Sequence, residues 1–516
     1  MKKSFALFCA LLLAALVGVG VVSAGAMARA EQVTFSENKA LQASLKSDPQ
    51  LRWSPAAGPR AIQDLRLELG ILSRERLHWQ IGLSPAIDPA QGQTDFALRP
   101  YRSQVESTFR RNRVELRFDG NFGVSVSGGV FELGYEPSAF GLDKMLADVA
   151  TRAPENGTYT ETVDLRDYYT TWPLTVNLDL PGAWMNWDEL LMIRQQLANG
   201  QDDTTAPRKG AYLLANALLD VFQFPITGHP QMEVELEMVE GGIVGINATM
   251  LKPKENSSFI NSLEAQTNSG HYFVVDAREP DGSLMDYSGT ADGYGLYRLP
   301  LYKEDDVPRP EDLKFVCPLS PKESVRLMFA NEDGTRLLLV VEDETGHRLN
   351  VFDDTGNLVQ SLPIPGAEKD QWSRFYTAPG LLLAVQHHMV DEDLPEPKVQ
   401  SSFVLFDRDE QGNYRQQMAD ALPADKAFEL LYQGGRYSEG PAIAYDGQRL
   451  ALAESYGAGY SGDCGYALLV YDKDGLLYAD ARQSSLAGGD TRVQTQEDCK
   501  VEPGSVQVRF EAAPAG

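Results

Sequence analysis

Residues 329–359 read FANEDGTRLLLVVEDETGHRLNVFDDTGNLV. Apolar runs alternate with corners in which an aspartate is followed within three positions by glycine. Aspartate bonds turn backbone through its side chain, and glycine takes a positive φ without steric penalty. Such corners between apolar runs therefore predict antiparallel hairpins. The run at 337–341, and a second at 381–383, are apolar without alternation, as expected of strands buried on both faces.

Both halves of this stretch recur. DGTRLLLV (333–340) returns as DGQRLALA (446–453), with Arg336 and Arg449 in register. VFDDTG (351–356) returns as LFDRDEQG (405–412) and VYDKDG (470–475), with a looser copy at 274–282, VVDAREPDG. The matching aspartates, Asp276, Asp353, Asp407 and Asp472, recur roughly every 50 to 80 residues, and a hairpin-rich unit at that interval marks a β-propeller blade. These signatures resemble the TolB-like and PQQ-like propeller repeats, from Asp276 to about Leu486. The unit around Phe406 departs from the pattern, offering APGLLLAV (378–385) in place of the Asp-Gly strand. The resemblance implies a mainly β fold, a β-propeller of about seven or eight blades if the chain forms one ring. No residue matches those by which quinone-binding members hold their cofactor, so no cofactor is expected.

The first half is less regular. Residues 113–137 read as a β-meander and 167–182 as an exposed-edge strand pair. QMEVELEMV (231–239) alternates as a strand with one wet face. Two short helices are expected, at 142–152 and 186–199. In the second, Asn186 caps, Glu189 holds the capping-box position, and Asn199-Gly200 ends the helix. NGQDDTTAPRKG (199–210) is the most linker-like segment. The expected organisation is a leader at 1–30, a β-rich region with two helices at 31–205 (early blades or a cap domain), and propeller blades at 206–516.

The leader opens with Lys2 and Lys3 and runs uncharged from Phe5 to Ala28. As a helix that run spans about 36 Å against about 30 Å of hydrocarbon, and the lysines keep its start in the cytoplasm. Ala26-Met27-Ala28 and Ala28-Arg29-Ala30 suit a signal peptidase, while the length of the run favours a retained anchor. Either way the rest of the chain is expected outside the cytoplasm, at a bacterial surface, with residues 5–28 as its only membrane contact. Export permits a disulfide, and Cys464 with Cys499, each preceded by aspartate, form the candidate pair. Cys317 is left over.

The chain has 516 residues, 43% of them hydrophobic, enough for a sizeable core. Its 73 acidic against 46 basic residues give a net charge of −27, which repels phosphate backbones and argues against nucleic-acid binding. The literal GxGxxG at 457–462 leads into a strand-like run rather than a helix, so it does not fit dinucleotide binding. The fragments DKDG (472–475) and DRDEQG (407–412) lack the ligands of a calcium loop and read as turns. His387 and His388, with Asp391, Glu392 and Asp393 nearby, point to opposite faces of a strand, so no metal site is expected. Tyr168, Tyr169 and Trp172 suit a stacking surface or simple packing, and packing is preferred. No nucleophile, zinc or phosphate-loop motif is present, and no catalytic residue is named. The favoured function is a non-enzymatic binding module for a protein or glycan partner at the cell surface. The alternative is a glycan hydrolase or lyase with carboxylates in the propeller funnel.

Overall fold

The computed structural model describes residues 35–37, 39–72, 78–83, 93–96, 112–119, 121–125, 142–200, 204–251, 258–279, 283–366, 372–390, 398–423, 441–457, 464–484 and 501–511. The protein is mainly β, with few helices. It divides into two compact units: Arg102–Ile364, and a second formed by Met1–Tyr101 with Pro365–Gly516.

Unit Arg102–Ile364 holds three sheets. In the simplest, Ser324–Ala330, Arg336–Asp343, Gly346–Asp353 and Leu358–Pro363 lie side by side in chain order. Leu337, Leu338, Leu339, Val340 and Val341 are all fully buried, as the unbroken apolar run predicts. In a second sheet Gln231–Val239 buries Met232, Val234, Leu236 and Met238 and exposes the residues between them. The third sheet has seven strands. Five of them are β1 (Arg113–Asp119), β2 (Thr175–Leu180), β3 (Ala183–Met185), β4 (Ser258–Gln266) and β5 (His271–Ala277). Gly295–Leu299 and Lys314–Pro318 follow, and the spatial order from that end is Lys314–Pro318, Gly295–Leu299, β5, β4, β1, β2, β3.

Two expectations about strands fail in this unit. Thr175–Leu180 is not at an edge, because β2 pairs with both β1 and β3. Residues 113–125 do not form a hairpin: β1 pairs with β4 and β2, while Asn121–Ser125 joins Gly242–Met250 in another sheet. Partners distant in sequence take the strand edges instead. Residues 126–137 lie outside the described residues.

Both expected helices form, at Asp143–Arg152 and Trp187–Ala198. The Asn186 side chain accepts the Glu189 amide at 2.8 Å, and Gly200 takes the left-handed conformation that ends the helix. Glu189 itself reaches Arg208 rather than the cap backbone. Arg208 belongs to a third helix, Ala206–Val221, inside the segment read as linker and blade. Pro207 opens it, and Ala211, Leu214, Ala215 and Leu218 bury one stripe against β2 and β3.

The second unit also holds three sheets. Trp372–Ala378, Leu381–Val390, Lys398–Arg408 and Tyr414–Leu422 form a four-stranded meander in chain order. Ala442–Tyr445, Leu450–Gly457, Cys464–Asp472 and Gly475–Ser484 form another, with Phe35–Glu37 added beside the last strand. The third sheet joins the two ends of the chain. Val501–Phe510 lies beside Leu65–Leu72, with Leu65 opposite Phe510 and Leu67 opposite Val508, and His78–Leu83 and Gln93–Phe96 follow.

Residues 5–28 and Cys499 lie outside the described residues. Among those described, no helix is long and apolar enough to cross a membrane. Cys464 starts a strand, and Cys317 carries a free thiol that burial pushes above its ordinary pKa.

Candidate functional site

The seven-stranded sheet presents one face to solvent around β1. Val114, Leu116 and Phe118 of β1 point into the core, so Arg113, Glu115 and Arg117 point away from it. Directly opposed residues of neighbouring strands share a face. Arg113 lies opposite Asp179 and Glu115 opposite Asn177 on β2, and Asp179 in turn lies opposite Trp184 on β3. Leu178, Leu180, Ala183 and Met185 occupy the other face, where the Ala206–Val221 helix covers them. The result is a row from Trp184 through Asp179 to Arg113 on an open, polar face. Trp184 keeps 54% of its surface exposed.

On its other edge β1 begins to part from β4. The backbone ladder runs through Ile260 opposite Phe118 and Asn261 opposite Arg117, after a bulge between Ser258 and Ile260. Beyond that point side chains replace the ladder. The Leu116 amide donates to Ser262 Oγ at 3.0 Å, which itself donates to the Val114 carbonyl at 3.1 Å. The Val114 amide donates to Glu264 Oε2 at 2.8 Å. A bulge bends a strand away from its partner, and here the splayed strands leave a wedge. Its volume is about 340 Å³, and its lining is Arg113, Glu115, Arg117, Asn261, Ser262 and Glu264.

Ion pairs order these groups. Arg113 reaches Glu264 through Nε at 3.2 Å and Glu115 through Nη2 at 3.6 Å. Arg117 lies 3.9 Å from Glu115, whose carboxylate also accepts from Asn177 Nδ2 at 3.3 Å. Behind Glu264 sits His271 of β5, only 2% exposed, with Nε2 3.1 Å from Glu264 Oε2. Burial raises the Asp179 pKa; Arg113 opposes that shift and Glu264 adds to it. Ser262 Oγ is committed to two backbone groups and is not poised as a nucleophile. The face therefore offers guanidinium donors beside carboxylate acceptors, an arrangement for holding a ligand.

The residues singled out from the sequence lie elsewhere. His387 is fully buried, with Nδ1 2.8 Å from Ser401 Oγ across two strands, while residues 391–393 lie outside the described residues. Tyr169 and Trp172 are buried, and Tyr168 is fixed by a 2.6 Å bond to Asp148, so packing claims all three. Asp472 accepts the Asp474 amide and the Ser54 hydroxyl, both at 2.8 Å, in a two-residue hairpin turn ending at Gly475. In 405–412 the turn aspartate is Asp409, accepting the Gln411 and Asn413 amides, rather than Asp407. Gly457 closes one strand and Cys464 opens its antiparallel partner, so the GxGxxG stretch joins two strands. The alternation RVELRFD was visible in the sequence, but nothing local pointed to Glu264, Ser262 or Trp184 as its neighbours.

No protein-family model and no curated protein matches the sequence. Among solved structures, prolyl oligopeptidase B of Galerina marginata is similar over 49% of this chain and 29% of its own, at 10% identity and a TM-score of 0.21. A prolyl endopeptidase structure is similar over 85% of this chain and 45% of its own, at 13% identity and a TM-score of 0.23. TolB of Acinetobacter baumannii covers 54% of this chain and 62% of its own, at 10% identity and a TM-score of 0.18. This chain thus spans under a third of the first of them. Likenesses this weak leave any argument about fold to the strands themselves.

Proposed function

We propose that this chain is an extracytoplasmic β-propeller that works as a binding module, tethered or exported through residues 5–28. One observation carries the fold reading. Three four-stranded meanders, 324–363, 372–422 and 442–484, follow one another in sequence with matching corners. The first-to-second corner is Asp333-Gly334, Pro379-Gly380 and Asp446-Gly447 in turn. The third-to-fourth is built on Asp353, Asp409 and Asp472. Successive meanders of this kind are how propeller blades are built. Pairing of Val501–Phe510 with Leu65–Leu72 suits a blade assembled from both chain ends. Binding is favoured over catalysis because the open face of β1–β3 pairs its carboxylates with arginines and offers no poised nucleophile.

The location is tested by protease treatment of intact bacterial cells producing the full chain. The reading expects cleavage from outside. Protection that persists in spheroplasts, whose outer envelope is removed, and is lost only when the cytoplasmic membrane is lysed contradicts it.

A further inference from the structure

We propose that the face formed by β1, β2 and β3, with the wedge between β1 and β4, binds a neutral oligosaccharide stacked on Trp184. The inference deepens the binding-module reading and rests on it.

The chemistry of the face selects the ligand class. Trp184 is a large aromatic on an edge strand, with more than half of its surface open to solvent. Tryptophan combines a broad apolar face with a polar N–H, which suits a ring with one carbon–hydrogen face and a rim of hydroxyls. Asp179 and Arg113 continue from it along the row, and Glu115, Glu264 and Asn261 complete the rim. Guanidinium groups only donate and carboxylates only accept, while a hydroxyl does both. Neighbouring hydroxyls are thus satisfied by an arginine and a carboxylate held side by side, as Arg113 and Glu264 are at 3.2 Å.

Charge excludes the competing ligands. Arg113 and Arg117 face three carboxylates, Glu115, Glu264 and Asp179, in a chain of net charge −27. An anionic sugar or a phosphate finds no surplus of positive charge. An apolar ligand finds only polar walls in the wedge. Strands lie ~4.8 Å apart, so Trp184 to Arg113 covers about 10 Å before the wedge is reached, longer than one sugar ring. The splay itself argues for use: a regular ladder between β1 and β4 would close the wedge, and Ser262 and Glu264 hold it open instead.

The test is calorimetric titration of the full chain with cellohexaose, xylohexaose, mannohexaose and chitohexaose, with hexagalacturonate as the anionic counterpart. At least one neutral hexasaccharide should bind. Trp184→Ala should weaken it about tenfold while shifting the unfolding midpoint little, because 54% of its surface is already exposed. Arg117→Ala should weaken it as well. Equal binding by Trp184→Ala, or tighter binding of hexagalacturonate than of every neutral probe, overturns the inference. If no hexasaccharide binds but Arg117→Ala lowers the co-sedimentation of the full chain with cell envelopes below that of the wild type, which carries the same residues 5–28, the ligand class is wrong and the binding module stands. If neither occurs, both readings fall.

Discussion

Glu342 shows how much a single buried charge contributes here. It lies on Arg336–Asp343 opposite His347, with Arg326 beside it on the neighbouring strand, and is only 6% exposed. Burial alone would raise its pKa. Hydrogen bonds from His347 and Arg326 outweigh that and hold it at about 2, against 4.5 for a free glutamate. A folded pKa below the unfolded one gives stability that is fully present above about pH 4.5 and is lost as pH falls toward 2. The difference corresponds to about 3 kcal/mol, reduced toward about 2 because Arg326 is half exposed and screened by water. Glu342→Gln should lower the urea midpoint at pH 7 and flatten its decline between pH 4.5 and 2. A wild-type acid decline retained in Glu342→Gln would contradict the assignment.

At the scale of elements, corners position what the strands carry. Gly182 turns β2 into β3 at a φ of 73°, and a Cβ there would overlap the backbone carbonyl of Glu304. Gly182→Ala should therefore cost about 1–3 kcal/mol, seen as a lower urea midpoint, through strain and overlap together. An unchanged midpoint would mean the hairpin is not held as described. The corners were also the part of the fold most legible in the sequence, because aspartate and glycine act on backbone within a few residues. Asp353, Asp446 and Asp472 all bond their own turns as expected. Asp409 shows the limit: the triplet LFD aligned Asp407 with Asp353, but the hydrogen bonds fall two residues later. The Ala206–Val221 helix was missed because charged and turn-favouring residues at 201–209 hid the stripe of Leu214 and Leu218 that follows.

At the scale of the molecule, what mattered was which distant segments meet. Apolar runs at 337–341 and 381–383 signalled burial, but not that β1 would lie between β2 and β4. No local pattern told of Leu65 opposite Phe510 either. Arg449, read as a register mark in DGQRLALA, closes that join. It bonds Asp64 at 2.9 and 2.6 Å and lies 4.4 Å over the Phe510 ring, beside the strand pairing of the two chain ends. The open face has the same origin: its charges alternate legibly along β1, but its tryptophan and its wedge come from β3 and β4, far apart in sequence.

Crystallography of the full chain tests most directly whether the meanders are blades. If they are, Trp372–Ala378 and Ala442–Tyr445, both of the second unit, each lie innermost in their sheet and succeed one another around a common axis. Finding those two sheets stacked face to face as a sandwich would contradict it.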